Sequence, residues 1–174
     1  MSWTLLFYST SYSVCASCAL MADLKCLYVT FNCARNLVNA EYFSQCIGSA
    51  LPADLIVLSL QEIAPIAYSF LGGSFLTSYY DRIAKAVYAA GSKKDTVYEM
   101  VLAENVGMTG LMLFAKPRVA RRFSRIETSG TGVGLWQMGN KSAVGTRLSY
   151  VIESEDEELV LTFVAAHLAP AENA

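Results

Sequence analysis

The sequence is poor in charged residues and in histidine. Charged residues make up only 16% of the 174 residues, the formal net charge is −2, and no run of lysine or arginine stands out. Proteins that bind nucleic acids tightly carry a concentrated positive patch on one face. The composition therefore does not favour a nucleic-acid-binding function, and we expect no nucleic-acid partner.

Clusters of cysteine and histidine that could bind a metal are also missing. All five cysteines lie in the first third of the chain, Cys15 and Cys18 form its one C-x-x-C pair, and the single histidine is His167. A structural zinc site needs a second cysteine pair or nearby histidines. The odd number of cysteines, placed in apolar segments, favours free buried thiols in a reducing compartment over a disulfide framework.

No segment has the length and hydrophobicity that predict a membrane-spanning helix. Residues 1–22 are apolar, but serine and threonine interrupt them and the positively charged start of a secretory signal is missing. We interpret residues 1–22 as a disordered leader and residues 23–174 as part of one domain. We expect a cytoplasmic protein rather than a secreted one.

The strongest structural signal is the segment ADLIVLSLQE at residues 53–62. Five large aliphatic residues, interrupted only by Ser59, predict a strand that is buried on both faces, in a sheet that is covered on both sides. Glu62 follows at the carboxyl end, where sheet proteins hold functional carboxylates in a cleft. The alternative is that Glu62 caps a helix that starts near Ile63.

The order of the remaining elements predicts an α/β (α+β) layered fold. Two strand-helix units followed by a strand meander indicate a mixed sheet flanked by helices. Alternation, helical spacing and turn residues predict these boundaries. The predicted strands are 24–31, 95–104, 109–115, 121–131, 141–152 and 158–166, and the predicted helices are 37–49 and 63–91, the second interrupted at 72–73.

Polar side chains stand at the ends of several predicted strands. They are Asn32, Glu62, Asn140, Lys141 and His167. Each has a simple structural explanation, such as a turn, a helix cap, a surface charge or a polar strand end. Together they supply an oxygen ligand for a hard cation, donors for a phosphate and an imidazole, and strand ends of one sheet can converge on one cleft.

Four motifs in this order resemble a known family. They are TFNCARN at 30–36, LSLQEI at 58–63, TGVGLWQMGNKSAVGTRL at 131–148 and FVAAHLAP at 163–170. The chain resembles the inositol polyphosphate 5-phosphatase branch of the endonuclease/exonuclease/phosphatase superfamily, whose fold is that of pancreatic deoxyribonuclease. The resemblance extends from residue 24 to the end, and the compact spacing is most similar to that of fungal members.

The resemblance implies a DNase I-like sandwich and a Mg²⁺-dependent phosphatase that acts on phosphoinositides or inositol polyphosphates, with contact to membrane surfaces. By resemblance, Glu62 binds Mg²⁺ and Asn32 helps to order the metal site. Asn140 and Lys141 line the phosphate and inositol pocket, and His167 contacts the scissile phosphate. Glu62 and His167 are thus the implied catalytic residues. Mg²⁺ binds few carboxylates together with water and substrate phosphate, which agrees with this set.

The sequence departs from the family pattern at two positions and in its extent. Ser142 replaces a glycine and is expected to narrow or re-aim the pocket, and Ala165 replaces an asparagine. The family motifs that supply the general base and a second histidine lie beyond the H-L motif, so we interpret the chain as an amino-terminal part that is incomplete at its carboxyl end and poorly active alone. The alternatives are a DNase I-like nuclease and a non-catalytic fragment that acts as a binding partner. The sequence predicts no oligomeric state.

Overall fold

The computed structural model describes residues 6–12, 24–69, 73–132, 141–152 and 158–168. Eight strands form two sheets, a five-stranded sheet in the order β1-β2-β3-β5-β4 and a three-stranded sheet in the order β6-β7-β8. The predicted layered fold with mixed sheets is confirmed. The strands are β1 Leu6–Tyr12, β2 Leu24–Asn32, β3 Leu55–Gln61, β4 Glu99–Val106, β5 Thr109–Ala115, β6 Phe123–Gly132, β7 Ser142–Val151 and β8 Glu158–His167.

Strand β3 lies at the centre of the larger sheet. It pairs in parallel with β2 on one side and antiparallel with β5 on the other. Its side chains alternate between two cores. Leu55 and Val57 pack between the two sheets, and Ile56, Leu58 and Leu60 pack against helices. The predicted strand with two buried faces is therefore present, and it ends directly before Glu62.

The smaller sheet is an antiparallel meander that covers one face of the larger sheet. Val144 and Leu148 of β7 and Phe163 and Ala165 of β8 are buried in the core between the sheets. The side chains of β8 that alternate with these, such as Val164, point away from that core and are exposed.

Helices cover the other face of the larger sheet. They are α1 Ala40–Gly48 and α3 Thr77–Ser92. The short helix α2 Ile66–Ser69 and a 3₁₀ turn at Gly73–Leu76 lie between them in the sequence, and α4 Pro117–Ala120 follows β5. The Asn39 side chain caps α1, since its Oδ1 accepts a hydrogen bond from Tyr42 N at 3.1 Å. Across the described ranges, no helix combines the length and the hydrophobicity needed to cross a bilayer.

Several predicted boundaries differ from the structure. The chain after Glu62 runs extended before α2 because Ile63 N donates to Met108 O, so the segment 63–91 is not one interrupted helix. Residues 117–120, between the predicted strands 109–115 and 121–131, form the short helix α4. Residues 6–12, within the predicted leader, form β1 against β2, and the other residues of the leader lie outside the described ranges.

The cysteines that the structure describes are free thiols. Cys26 and Cys33 are buried and Cys46 is half-buried. Cys15 and Cys18 lie outside the described residues.

A buried ion cluster fixes the start of β3. The Asp54 side chain is only 6% exposed, and its Oδ1 accepts from Lys116 Nζ at 3.0 Å and from Arg118 Nη2 at 2.5 Å. Its Oδ2 accepts from Lys25 N at 3.0 Å. Burial by itself raises the pKa of Asp54, but the bonds from Lys25 and Lys116 and the charges of Lys116 and Arg118 outweigh it and lower the pKa below its ordinary value.

We predict that Asp54→Asn lowers the free energy of unfolding by about 1–3 kcal/mol at pH 7, because Lys116 loses its buried acceptor charge. The folded pKa is lower than the unfolded value of about 4, so the carboxylate stabilises the fold above about pH 4, and this contribution disappears as the pH falls through the folded pKa. The free energies of unfolding of the wild type and Asp54→Asn, measured by urea denaturation between pH 7 and pH 3, should converge as the pH falls. Asp81→Asn, at an exposed position of α3, is the control. If the difference in the free energy of unfolding between the wild type and Asp54→Asn does not change with pH, the ionised Asp54 carboxylate is not the stabilising group.

Candidate active site

The ends of several strands meet at one edge of the two sheets, which we call the site edge. Ile63 N, just after β3, donates to Met108 O, just before β5, at 3.1 Å. At the start of β7, Ser142 Oγ lies 2.8 Å from Thr109 Oγ1 at the start of β5. His167 at the end of β8 pairs in register with Ser142. This chain of contacts joins the end of β3 to the end of β8.

The end of β2 also lies at the site edge, because Asn32 pairs in register with Gln61 of β3. Asn32 Oδ1 accepts a hydrogen bond from Ala34 N at 2.8 Å, so the side chain stabilises the turn that follows β2. The turn-forming explanation for Asn32 is thus confirmed. An amide oxygen has two acceptor lone pairs, so this bond still leaves one for another ligand.

The backbone at the site edge is strained. The residues Ala34, Arg35 and Glu62 have φ angles of 52°, 61° and 49°, in the left-handed region that side chains with a Cβ rarely adopt. Each such residue costs of order 1–3 kcal/mol, and such strain concentrates at functional sites. Hydrogen bonds across the edge hold this conformation, since Cys33 N donates to Gln61 O and Arg35 N to Glu62 O, both at 2.8 Å.

Glu62 is a partly exposed carboxylate that pairs with an arginine. Its side chain is 22% exposed, and its Oε2 lies 3.2 Å from Arg35 Nε. The next helix, α2, begins only at Ile66. The helix-capping explanation for Glu62 is therefore wrong, and the side chain stands at the strand end, where it can reach a ligand.

Two neighbours of Glu62 bear on the chemistry. Burial, and next the negative charge of Glu62, raise the pKa of Cys33 to about 12, so Cys33 is a neutral thiol and not a nucleophile at physiological pH. The Gln61 amide donates from Nε2 to Thr30 Oγ1 at 3.1 Å and to Ser59 Oγ at 3.2 Å. These bonds orient Gln61 on the face between the two sheets.

Lys141 and His167 form a close pair at the site edge. Lys141 Nζ lies 2.6 Å from His167 Nε2. Two protonated donors cannot make this contact, so one of the two nitrogens carries a lone pair. With an ammonium on Lys141, His167 is the neutral imidazole with an acceptor at Nε2. The pair places a cation and a titratable imidazole side by side, which suits a phosphate group.

The two departures from the family pattern have structural roles. Ser142 Oγ donates to Val106 O at 2.6 Å and contacts Thr109, so its side chain joins the second sheet to the β4–β5 hairpin. At 6% exposure it is buried among these partners. Ala165 is fully buried between the sheets, where its small side chain packs against the core.

The structure describes four of the five predicted site residues. Asn32, Glu62, Lys141 and His167 all lie at the site edge, while Asn140 lies outside the described residues. Arg35 is a further residue of the site edge that is not among the predicted site residues. An arginine followed by asparagine after a strand is an ordinary surface pattern, and only the left-handed turn directs this side chain to Glu62.

The donor atoms at the site edge fit a hard divalent cation. Glu62 offers a carboxylate, and Asn32 and Gln61 offer amide oxygens. Over the ranges that the structure describes, no three histidine, cysteine, aspartate or glutamate side chains come together as a metal-binding group. Carboxylate and amide oxygens are the donor atoms that hard divalent cations prefer.

A groove of about 520 Å³ lies elsewhere, near the carboxyl end of α3. Tyr88, Asp95 and Tyr98 are among its lining residues, and the Tyr98 hydroxyl is used in hydrogen bonds to the backbone of Ala53. None of the predicted site residues lines this groove. Its lining contains one carboxylate and no cation, so it does not offer the chemistry that the site edge does.

Solved structures support the fold. The inositol polyphosphate 5-phosphatase domain of SPsynaptojanin, solved with inositol (1,4)-bisphosphate and calcium, matches with a TM-score of 0.63 and 22% identity, over 85% of this chain and 41% of that chain. A point mutant of Cimex nitrophorin, solved as a ferrous NO complex, matches with a TM-score of 0.57 and 12% identity, over 86% of this chain and 48% of that chain. The chain therefore spans less than half the length of these structures. No curated protein sequence matches it.

The family assignment comes from the sequence itself. The sequence profile of the family described as "Endonuclease/Exonuclease/phosphatase family 2" matches residues 29–174, which is most of the chain. This match includes the strand β3, the turn after β2, Lys141 directly before β7, and His167 at the end of β8. The chain belongs to the endonuclease/exonuclease/phosphatase family.

Proposed function

We propose that the chain carries the cation site and part of the phosphate site of a Mg²⁺-dependent phosphatase that acts on inositol polyphosphates or phosphoinositides. The observation that carries this proposal is the Lys141–His167 pair, with its nitrogens 2.6 Å apart, at the same edge as Glu62. Phosphate-ester hydrolysis requires a carboxylate that binds a cation and cationic donors that bind an anion, and Glu62 and the Lys141–His167 pair are candidates for these two parts.

The roles follow from the side-chain chemistry. Glu62 and Asn32 hold the cation, and a bound Mg²⁺ supplies charge stabilisation to the phosphate oxygens. Lys141 is a donor to the phosphate through its ammonium. His167 donates to the phosphate once it is protonated, and its contact with Lys141 keeps the ring oriented before substrate arrives. Asn140, by resemblance, contributes to the same pocket.

The fold alone does not choose between a phosphatase and other functions, because one of the structural neighbours is a nitrophorin solved with NO. A nuclease remains the main enzymatic alternative, since the family includes nucleases. The sequence carries 13 basic and 15 acidic side chains, so it lacks the excess of positive charge that favours binding to a DNA backbone. The GNK segment that ends at Lys141 resembles the phosphatase branch, and both features support the phosphatase.

We propose further that the chain by itself turns over slowly. Glu62 is assigned to the cation, and the residues assigned to the site edge include no second carboxylate that could act as a general base. A missing general base lowers the rate by about 10²- to 10⁴-fold. Cation and phosphate binding need only the residues present, and binding is therefore the better test.

We predict that the purified chain binds Mg²⁺ or Mn²⁺ in calorimetric titration, and that Glu62→Gln weakens this binding about tenfold or more because it removes the charged ligand. Glu99→Gln is the matched control, since Glu99 is an exposed glutamate at the end of β4 that lies away from the site edge. Equal affinity of the wild type and Glu62→Gln would contradict the metal assignment.

Turnover of the same samples separates the proposed activities. Phosphate release from a soluble inositol polyphosphate and cleavage of plasmid DNA should be measured side by side with Mg²⁺. We expect slow, Mg²⁺-dependent phosphate release at most, and no DNA cleavage. Fast release that is lost in Glu62→Gln would contradict the slow-turnover proposal, and DNA cleavage without phosphate release would favour the nuclease. A chain that binds neither cation nor inositol phosphate would favour the non-catalytic alternative.

We predict that Lys141→Gln weakens binding of inositol bisphosphate, measured with Mg²⁺ present, by about tenfold or more, because a charge-assisted bond to phosphate is lost. Lys85→Gln, at an exposed position of α3, is the control and should have no effect. An unchanged affinity in Lys141→Gln would remove Lys141 from the phosphate site.

A further inference from the structure

Arg35 is bound to Glu62 by both its backbone and its side chain. Arg35 N donates to Glu62 O at 2.8 Å, and Arg35 Nε lies 3.2 Å from Glu62 Oε2. The residue sits in a left-handed conformation with a φ of 61°. A backbone held in this conformation beside the Glu62 carboxylate indicates that the position of Arg35 matters for the site.

The turn that carries Arg35 is rigid. Asn36 N donates to Cys33 O at 3.1 Å, which closes a tight turn with two left-handed central residues. Asn32 Oδ1 accepts from Ala34 N, and Asn36 Nδ2 donates to Ala34 O, both at 2.8 Å. The Arg35 Cα therefore stays next to Glu62, while the flexible side chain can change its partner.

The ion pair between Arg35 and Glu62 can be broken at little cost in free energy. The Arg35 side chain is 49% exposed and that of Glu62 is 22% exposed. Water screens such a pair, and exposed ion pairs contribute little free energy. A divalent cation at the same carboxylate carries twice the charge and would repel the guanidinium from Oε2.

We propose that Arg35 and the divalent cation are alternative counter-ions of Glu62, and that the displaced guanidinium then binds a phosphate of the substrate. This inference rests on the proposed function of the site edge. The planar guanidinium matches the geometry of two phosphate oxygens, and the rigid turn keeps it within a side-chain length of Glu62. Arg35 thus opposes cation binding when no anion is present and supports anion binding once the cation is in place.

The proposal predicts two effects of opposite sign for Arg35→Gln. Without an anion, the variant should bind Mn²⁺ about two- to fivefold more tightly, because no ion pair has to break. With saturating Mn²⁺, it should bind inositol bisphosphate about tenfold more weakly, because a charge-assisted bond is lost. Both affinities are measured by calorimetry, so the test does not depend on turnover.

One further variant distinguishes the charge of Arg35 from the geometry of its guanidinium, and a second serves as a control. Arg35→Lys keeps the charge but loses the planar group and its Nε, so it should bind inositol bisphosphate less tightly than the wild type and more tightly than Arg35→Gln. Arg125→Gln is the matched control, because Arg125 forms a more exposed pair with Glu127 on β6, at 4.0 Å. It should change neither affinity. Circular dichroism melting confirms that each variant is folded.

Each outcome has one meaning for the proposal. Weaker Mn²⁺ binding in Arg35→Gln would overturn it and would make Arg35 a residue that positions Glu62. Unchanged inositol bisphosphate binding would overturn the assignment of Arg35 to the substrate. If Glu62→Gln leaves Mn²⁺ binding intact, the metal site itself fails, and that result is distinct from any effect of Arg35.

Discussion

The burial of β3 on both faces is the constraint on which the rest of the structure depends. Leu55, Ile56, Leu58 and Leu60 are each 0% exposed, and they contribute alternately to the core between the sheets and to the core under the helices. Complete burial of such side chains is worth about 1.5–3 kcal/mol each. Because both layers pack against the same strand, they cannot move apart, and the residue after the strand, Glu62, has a fixed place at the site edge.

The sequence was sufficient to predict this strand and the layered fold, because the patterns there depend on burial. An apolar run of strand length predicts β3 without any knowledge of its neighbours in the sheet. The alternation of buried and more exposed residues in β7 and β8 reflects one buried face. The predictions failed where local hydrogen bonds decide the outcome. The bond between Ile63 N and Met108 O extends the chain where its apolar spacing predicts a helix. Pro117 starts the short helix α4 in a segment where no helix is predicted.

The site could be predicted as a set of strand ends, but not in its details. The end of β3 meets the start of β7 through Thr109 and Ser142, which follows from strand order and not from any one residue. Arg35 could not be found in this way, since Ala34 and Arg35 lack the glycine or asparagine that normally indicates a left-handed turn. Non-local bonds from Arg35 N and Cys33 N to the end of β3 stabilise that turn against its intrinsic preference.

The two carboxylates that flank β3 show how burial decides what an ion pair does. Asp54 precedes the strand with a side chain that is 6% exposed and three donors, whereas Glu62 follows it with a side chain that is 22% exposed and one arginine. Breaking the Asp54 cluster leaves the buried Asp54 carboxylate without its charge partners, which is strongly unfavourable, so this cluster anchors the fold. Water can replace either partner of the Glu62 pair at little cost. The same pairing of carboxylate and guanidinium is therefore structural at one end of the strand and replaceable at the other, which is the property that a ligand site requires.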